Sequence, residues 1–185
     1  MPGGRDFTGL QAALSSIARS GWMMRGIPAS AAETVAAHTA AAALLALEIA
    51  WEARRMGLEV SPEKAAAIAL VHDVAEAWVG DIPKPARVEG KEEAELRAVE
   101  SSPLSPHTRS LYREFMQRSS IEARIARAAE KLATYTMALH YKSLGYRVDD
   151  IIESSLSAAL REASEAGVAE ALRAAAERLS IPLPG

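Results

Sequence analysis

The chain has 185 residues, 49% hydrophobic and 24% charged, and its 21 Lys and Arg against 24 Asp and Glu leave a formal charge of -3. That suits one globular domain spanning 1–185 with a real core and excludes a disordered tail. A charge so near zero, without a basic run, argues against a nucleic-acid polymer or an anionic membrane as partner. With no cysteine, disulfides, thiolate catalysis and Cys-based metal sites are excluded, so any metal must use His, carboxylates or backbone oxygens. The N-terminus carries no signal-like apolar run, and the most apolar stretch, 40–50, is shorter than a bilayer span and contains Glu48, so a cytoplasmic protein is expected.

Roughly one residue in five is Ala, while β-branched and aromatic runs are scarce, which predicts an all-α fold, a helical bundle of about six to eight helices. In chain order, a helix is expected over 8–20. Ser30 with Glu33 reads as a capping box for a helix over 31–56, stopped by Gly57,. Ser61-Pro62-Glu63 opens a helix that runs to Val79 before Gly80,. Two prolines make Gly80-Asp81-Ile82-Pro83-Lys84-Pro85 a stiff, non-helical loop,. Shorter helices follow over 91–101 and 108–117. Ser120 with Glu122 starts a long helix to Leu144, and Asp150 with Glu153 reads as a capping box for a helix to Ala166,. A last helix covers 168–179, so that 150–185 forms a C-terminal covering layer or an oligomer interface.

The chemistry concentrates around His72 and Asp73, adjacent in an otherwise apolar helix. A buried carboxylate and imidazole need hydrogen bonds, pairing or a metal ion. Glu76 lies four residues after His72 and three after Asp73, on the same helical side,. His38 stands among alanines on the preceding long helix, where another helix could approach closely. Taken alone, each reads as readily as a satisfied core residue. Glu130 has Ala126, Ala133 and Met137 on its stripe, which points inward, against the alternative of a surface ion pair with Arg127 or Lys131,. His107 and His140 read as ordinary polar residues, and Trp51 and Trp78 as packing residues.

His38, then His72-Asp73-Val74-Ala75-Glu76, then Gly80-Asp81-Ile82-Pro83, with Arg19-Ser20-Gly21-Trp22, Arg25 and Glu33 upstream, resembles the HD superfamily of metal-dependent phosphohydrolases, and within it the YfbR-like 5'-deoxynucleotidase branch. The resemblance covers about residues 10–144 and implies an HD-domain bundle with His38, His72 and Asp73 as metal ligands. The family's fourth ligand is an Asp; Glu130 occupies the matching place here, one methylene longer, and Ala37 stands where the family often has an acid beside the first His.

The resemblance further implies one divalent ion (Mn, Co, Fe, Ni or Zn) that activates water for attack on a phosphoryl group. Glu76 would orient or deprotonate that water, and Asp81 would face it or the sugar, unless it caps local backbone instead. Trp22 would cover one nucleoside face or else fill the core, and Arg19, Arg25 or Lys84 would meet the phosphate. The expected activity is removal of the 5'-phosphate from (deoxy)ribonucleoside monophosphates by a homodimer. Two alternatives stand beside it: hydrolysis of a nucleoside di- or triphosphate or another small phosphate ester, and a degenerate domain that binds nucleotide or protein without catalysis.

Overall fold

Helix punctuation and a small-residue core produce the architecture. A computed structural model describes residues 6–83 and 89–184. Among these the chain is all-α, with eight longer helices and two single turns. Asp6 caps α1 (Phe7–Ser16) by accepting from the Gly9 N–H at 2.8 Å. The single turn α2 (Ser20–Met23) follows, then the long α3 (Val35–Arg55) and α4 (Pro62–Val71). After the single turn α5 (Glu76–Val79) come α6 (Lys91–Glu100), α7 (Pro106–Gln117), the longest helix α8 (Ile121–Ser143), α9 (Asp149–Glu165) and α10 (Ala169–Arg178).

Helices α3, α4 and α8 pack mutually, α9 lies along α8, and α10 closes on α3. Their contacts are made by small side chains: Ala46 and Ala50 on α3, Ala65 and Ala69 on α4, Ala126 and Ala129 on α8 are all without exposure. Without long side chains between them, the axes can approach closely, and larger residues such as Ile49, Ile68 and Leu132 fill the remaining space,. The 21 residues of α3, at hydropathy 1.3, are long and apolar enough to cross a membrane. Here α3 is a central bundle helix, with α4, α8 and α10 on its buried side.

Several expected helix boundaries are corrected, and the helix expected over 8–20 ends at Ser16 because Ala18 bridges to Thr34. Helix α3 starts at Val35, not Ala31, because Thr34 is the cap, its hydroxyl accepting from the Ala37 N–H at 3.2 Å. Glu33 is thereby freed from the expected capping box and turns inward. The helix expected over 62–79 is broken: α4 ends at Val71, residues 72–75 form turns, and α5 restarts at Glu76. His72 and Asp73 therefore stand at a helix end, where a side chain can leave the helical cylinder. Helix α9 begins at Asp149 with no side-chain cap, because the Asp150 carboxylate is taken by Arg25. Trp51, expected to pack, is 46% exposed, its ring covered on one side by the Arg54 guanidinium at 4.9 Å.

Before α3 the chain doubles back on itself. An antiparallel bridge joins Ala18 and Thr34; the Arg19 N–H donates to the Glu33 carbonyl at 2.9 Å and the Val35 N–H to the Ile17 carbonyl at 3.0 Å. These bonds hold the segment carrying Arg19 and Trp22 against the start of α3, where His38 sits one turn in.

Candidate metal centre

His38 from α3 and His72 and Asp73 from the end of α4 converge so that one ligand atom of each lies within 4.8 Å of the others. The two imidazole rings are 5.3 Å apart edge to face, and His72 is further fixed by the Phe115 ring at 5.2 Å. The His72 Nδ1–H donates to the Ala69 carbonyl at 2.6 Å, which leaves the Nε2 lone pair of a neutral ring free. That Nε2 lies 3.1 Å from Asp73 Oδ2. The Nε2 atoms of both His38 and His72 are buried without a hydrogen-bond partner.

Buried polar atoms are nearly always satisfied, so two orphaned imidazole nitrogens beside a carboxylate are the signature of a site that fits a cation. Two imidazoles and a carboxylate form a donor set for a single divalent ion, whose identity the donors leave open. Burial opposes a charge on His72, but Asp73 and Glu130 outweigh it and raise the imidazole, so without an ion a proton stands where the cluster fits a cation. Burial opposes the charge on Asp73, but His72 and Arg19 outweigh it and hold the carboxyl well below its usual range. Burial, with Arg19, depresses His38 and keeps it neutral, the state a ligand needs,.

Glu76 is buried at the edge of the same cluster with its Oε2 unpartnered. Burial pushes its carboxyl up to about 9, with the charges of Asp73 and Asp81 adding to the effect. Glu130, on α8, is also buried, and its carboxylate is paired with Lys131 on the next residue. Burial opposes its ionisation, but Lys131 and His72 outweigh burial and keep it a carboxylate. It thus combines both sequence readings, inward-facing and ion-paired.

The cluster opens into a cleft of about 400 Å³ that His72, Asp73, Glu76 and Glu130 line together with Arg19 and Trp22. Arg19 reaches the cluster itself, its Nη1 donating to His38 Nδ1 at 2.8 Å. Arg25 also lines the cleft, but its guanidinium forms a two-pronged pair with Asp150 of α9. Asp81 lines the cleft and accepts from the Ser20 hydroxyl at 2.6 Å and from the Ser20 N–H, so it caps α2 across 61 residues of sequence. Trp22 lines the cleft but is 2% exposed, packed at 4.9 Å on Tyr141. Lys84 lies outside the described residues. His107 and His140 are exposed.

Sequence reasoning passed over Arg127, Lys131 and Lys91 as cleft residues. Arg127 and Lys131 had a signal, since they flank Glu130 at i-3 and i+1 and are one helical turn apart on α8. Arg127 lies over Phe115 at 4.9 Å, the ring that abuts His72. Lys91 had none: it arrives from the start of α6, its Nζ donating to the Ile82 carbonyl at 3.0 Å. Glu33 reads in the sequence as a cap and as part of the upstream motif, without a role at the cluster.

The comparisons agree with this geometry. The chain is 27% identical over 161 residues to the 5'-deoxynucleotidase HDDC2 of Homo sapiens, covering 81% of this chain and 75% of that protein. It is 29% identical over 148 residues to the Danio rerio protein of the same name, covering 75% and 70% respectively. Among solved structures, a conserved hypothetical protein from Pyrococcus furiosus superposes with a TM-score of 0.73 at 31% identity, over 89% of this chain and 96% of the other. A family model described as HD domain matches residues 12–171. With that span including every residue of the His38, His72 and Asp73 cluster, the chain belongs to the HD-domain family of metal-dependent phosphohydrolases.

Proposed function

We propose that this protein hydrolyses the phosphate ester of (deoxy)ribonucleoside 5'-monophosphates. The observation that carries the reading is the cleft that His72 and Asp73 of the cluster share with the partly buried guanidinium of Arg19 and with Trp22. The name borne by the human and zebrafish relatives supports the same substrate class. Arg19, Lys91, Arg127 and Lys131 line the cleft beside its acids, so an anionic phosphate meets cations from several elements.

His38, His72 and Asp73 would hold the ion, with Glu130 as the fourth donor after turning from Lys131. A divalent ion there lowers the pKa of water and polarises a phosphoryl oxygen. Arg19 donates to the phosphate oxygens on which negative charge builds as the ester bond lengthens. Glu76 takes the proton from the attacking water; nearby positive charge favours its ionised form and so offsets the burial that otherwise keeps it neutral. Trp22 and Ile82 exclude water from one side of the nucleoside. Asp81 sets the α2 backbone that carries Trp22, and its free lone pairs face the sugar. The family's finer division between deoxyribose and ribose would rest on this wall.

The test is phosphate release from a panel of deoxy- and ribonucleoside 5'-mono-, di- and triphosphates with Mn or Co, comparing the parent with Asp73→Ala. Release by the parent and none by the variant is the expected result. Release only from di- or triphosphates would move the substrate class, and no release from any of them would leave a binding domain.

A further inference from the structure

Glu33 is a buried acid, 6% exposed, placed where three functional side chains meet. Its Oε2 accepts from Trp22 Nε1 at 3.1 Å and lies 3.5 Å from Arg19 Nη1. Its Oε1 is 3.7 Å from His38 Nδ1. The backbone on either side is pinned. The Glu33 N–H donates to the Tyr141 hydroxyl at 2.7 Å, and that hydroxyl donates to the Ala31 carbonyl at 3.0 Å. A carboxylate is costly to bury unless paired, and nothing in the capping of α3 needs one here, because Thr34 does that work.

His38 shows what the carboxylate is for. Arg19 can only donate, so the His38 Nδ1 that it meets at 2.8 Å is an acceptor,. In a neutral ring the proton then sits on Nε2, the buried nitrogen without a partner. For Nε2 to ligate an ion through its lone pair, the ring proton must be on Nδ1 instead, and Nδ1–H then needs an acceptor. Ala37, next to His38, supplies none. Glu33 Oε1 is the carboxylate oxygen in reach.

We infer that Glu33 is a positioning residue that couples the ion site to the substrate wall, accepting the His38 Nδ1–H when an ion is held while keeping Trp22 Nε1, and so releasing Arg19 toward the phosphate. The inference rests on the proposed reading of His38 as a ligand and Trp22 as the nucleoside wall. The ring keeps one proton throughout: it leaves from Nε2 and is replaced at Nδ1, with no net change in protonation. The consequence is an order of events in which ion loading prepares both Arg19 and Trp22 for the substrate.

The test uses the full chain with Trp51→Phe and Trp78→Phe, which leaves Trp22 as the sole indole of the three. In this background the parent, Glu33→Gln and Tyr141→Phe are titrated with Zn2+ against a chromogenic chelator while Trp22 emission is followed. Glu33→Gln should bind Zn2+ roughly 10- to 100-fold more weakly and lose the Zn2+-dependent change in Trp22 emission that the parent shows. Tyr141→Phe, which loosens the same segment but leaves the carboxylate, should melt at lower temperature and keep the parental Zn2+ affinity. Parental affinity and emission response in Glu33→Gln would overturn the coupling alone. Equal weakening in Tyr141→Phe would also overturn it, by showing that a distorted segment suffices. A parent that binds no Zn2+ would overturn both the coupling and the metal-site reading beneath it.

Discussion

Arg19 and His38, from either side of the doubled-back segment before α3, meet at 2.8 Å with the guanidinium donating to the imidazole Nδ1. The contact puts a fixed positive charge at the mouth of the His38–His72–Asp73 cluster, whereas Arg25, the other candidate, is held by Asp150. Arg19→Ala should therefore lower kcat/KM for a nucleoside 5'-monophosphate by about two orders of magnitude without weakening metal binding, since a cation that repels the ion is gone. Arg25→Ala should cost far less. Steady-state kinetics with chelator competition decide the matter, and the reverse ranking of the two variants would move the phosphate contact to Arg25.

Glu130 is buried and paired with Lys131, close enough to His72 to shift its charge. If its carboxylate turns to the ion, Glu130→Gln should weaken Mn affinity by about tenfold or more, and Asp73→Ala should abolish it. Unchanged affinity in Glu130→Gln would leave the longer acid as a partner of Lys131 only.

The pH dependence of stability turns on Glu76. Its folded-state pKa is raised from 4.5 to about 9 by burial first and by Asp73 and Asp81 next. A raised carboxyl pKa means that the unfolded chain loses the proton first. Its stabilising effect is full below about 4.5 and is lost as pH rises toward about 9,. In chelator-treated protein, the parent should lose stability across that window relative to Glu76→Gln, which does not titrate. Urea midpoints measured at several pH values, and parallel curves for the two proteins, would show that Glu76 ionises freely in the fold.

Metal removal should be visible without any substrate. An ion that binds the folded cluster and not the unfolded chain stabilises by about 2.7 kcal/mol at a free concentration of 100 times its Kd. EDTA should lower the melting temperature of metal-loaded protein, and His38→Ala should melt at the same temperature with or without EDTA. A parent insensitive to chelator would contradict a resident ion.

The support of the site is testable apart from its chemistry. Leu132, fully buried on α8 two residues after Glu130, should cost about 2–5 kcal/mol of stability when replaced by Ala. Loss of less than about 1 kcal/mol would mean that the α8 interface relaxes around the cavity.

Helix content and many helix ends were legible because they depend on neighbours in sequence: Ser61 and Ser120 each accept from the N–H three residues on, and Gly57, Gly80, Gly145 and Gly167 take the positive φ that ends a helix,. The His72–Asp73–Glu76 spacing was legible for the same reason, although α4 stops at Val71 rather than carrying all three residues. The competing pairings were not legible. Ser30–Glu33 and Asp150–Glu153 look like local caps, but Glu33 gains more from Trp22 and Arg19, and Asp150 from Arg25. Both partners come from segments distant in sequence.

What the sequence determined by itself is therefore the all-α class, the small-residue helices and the identity of the ion's donor types, all set by propensity, capping and chemistry within a few residues. Only the tertiary structure decided that His38 meets His72, that Arg19 and not Arg25 reaches the cluster, that Lys91, Arg127 and Lys131 share the cleft, and that Glu33 faces inward. The reason is that a buried charge is placed by whichever partner best offsets its desolvation, and that partner is chosen by packing, not by proximity along the chain.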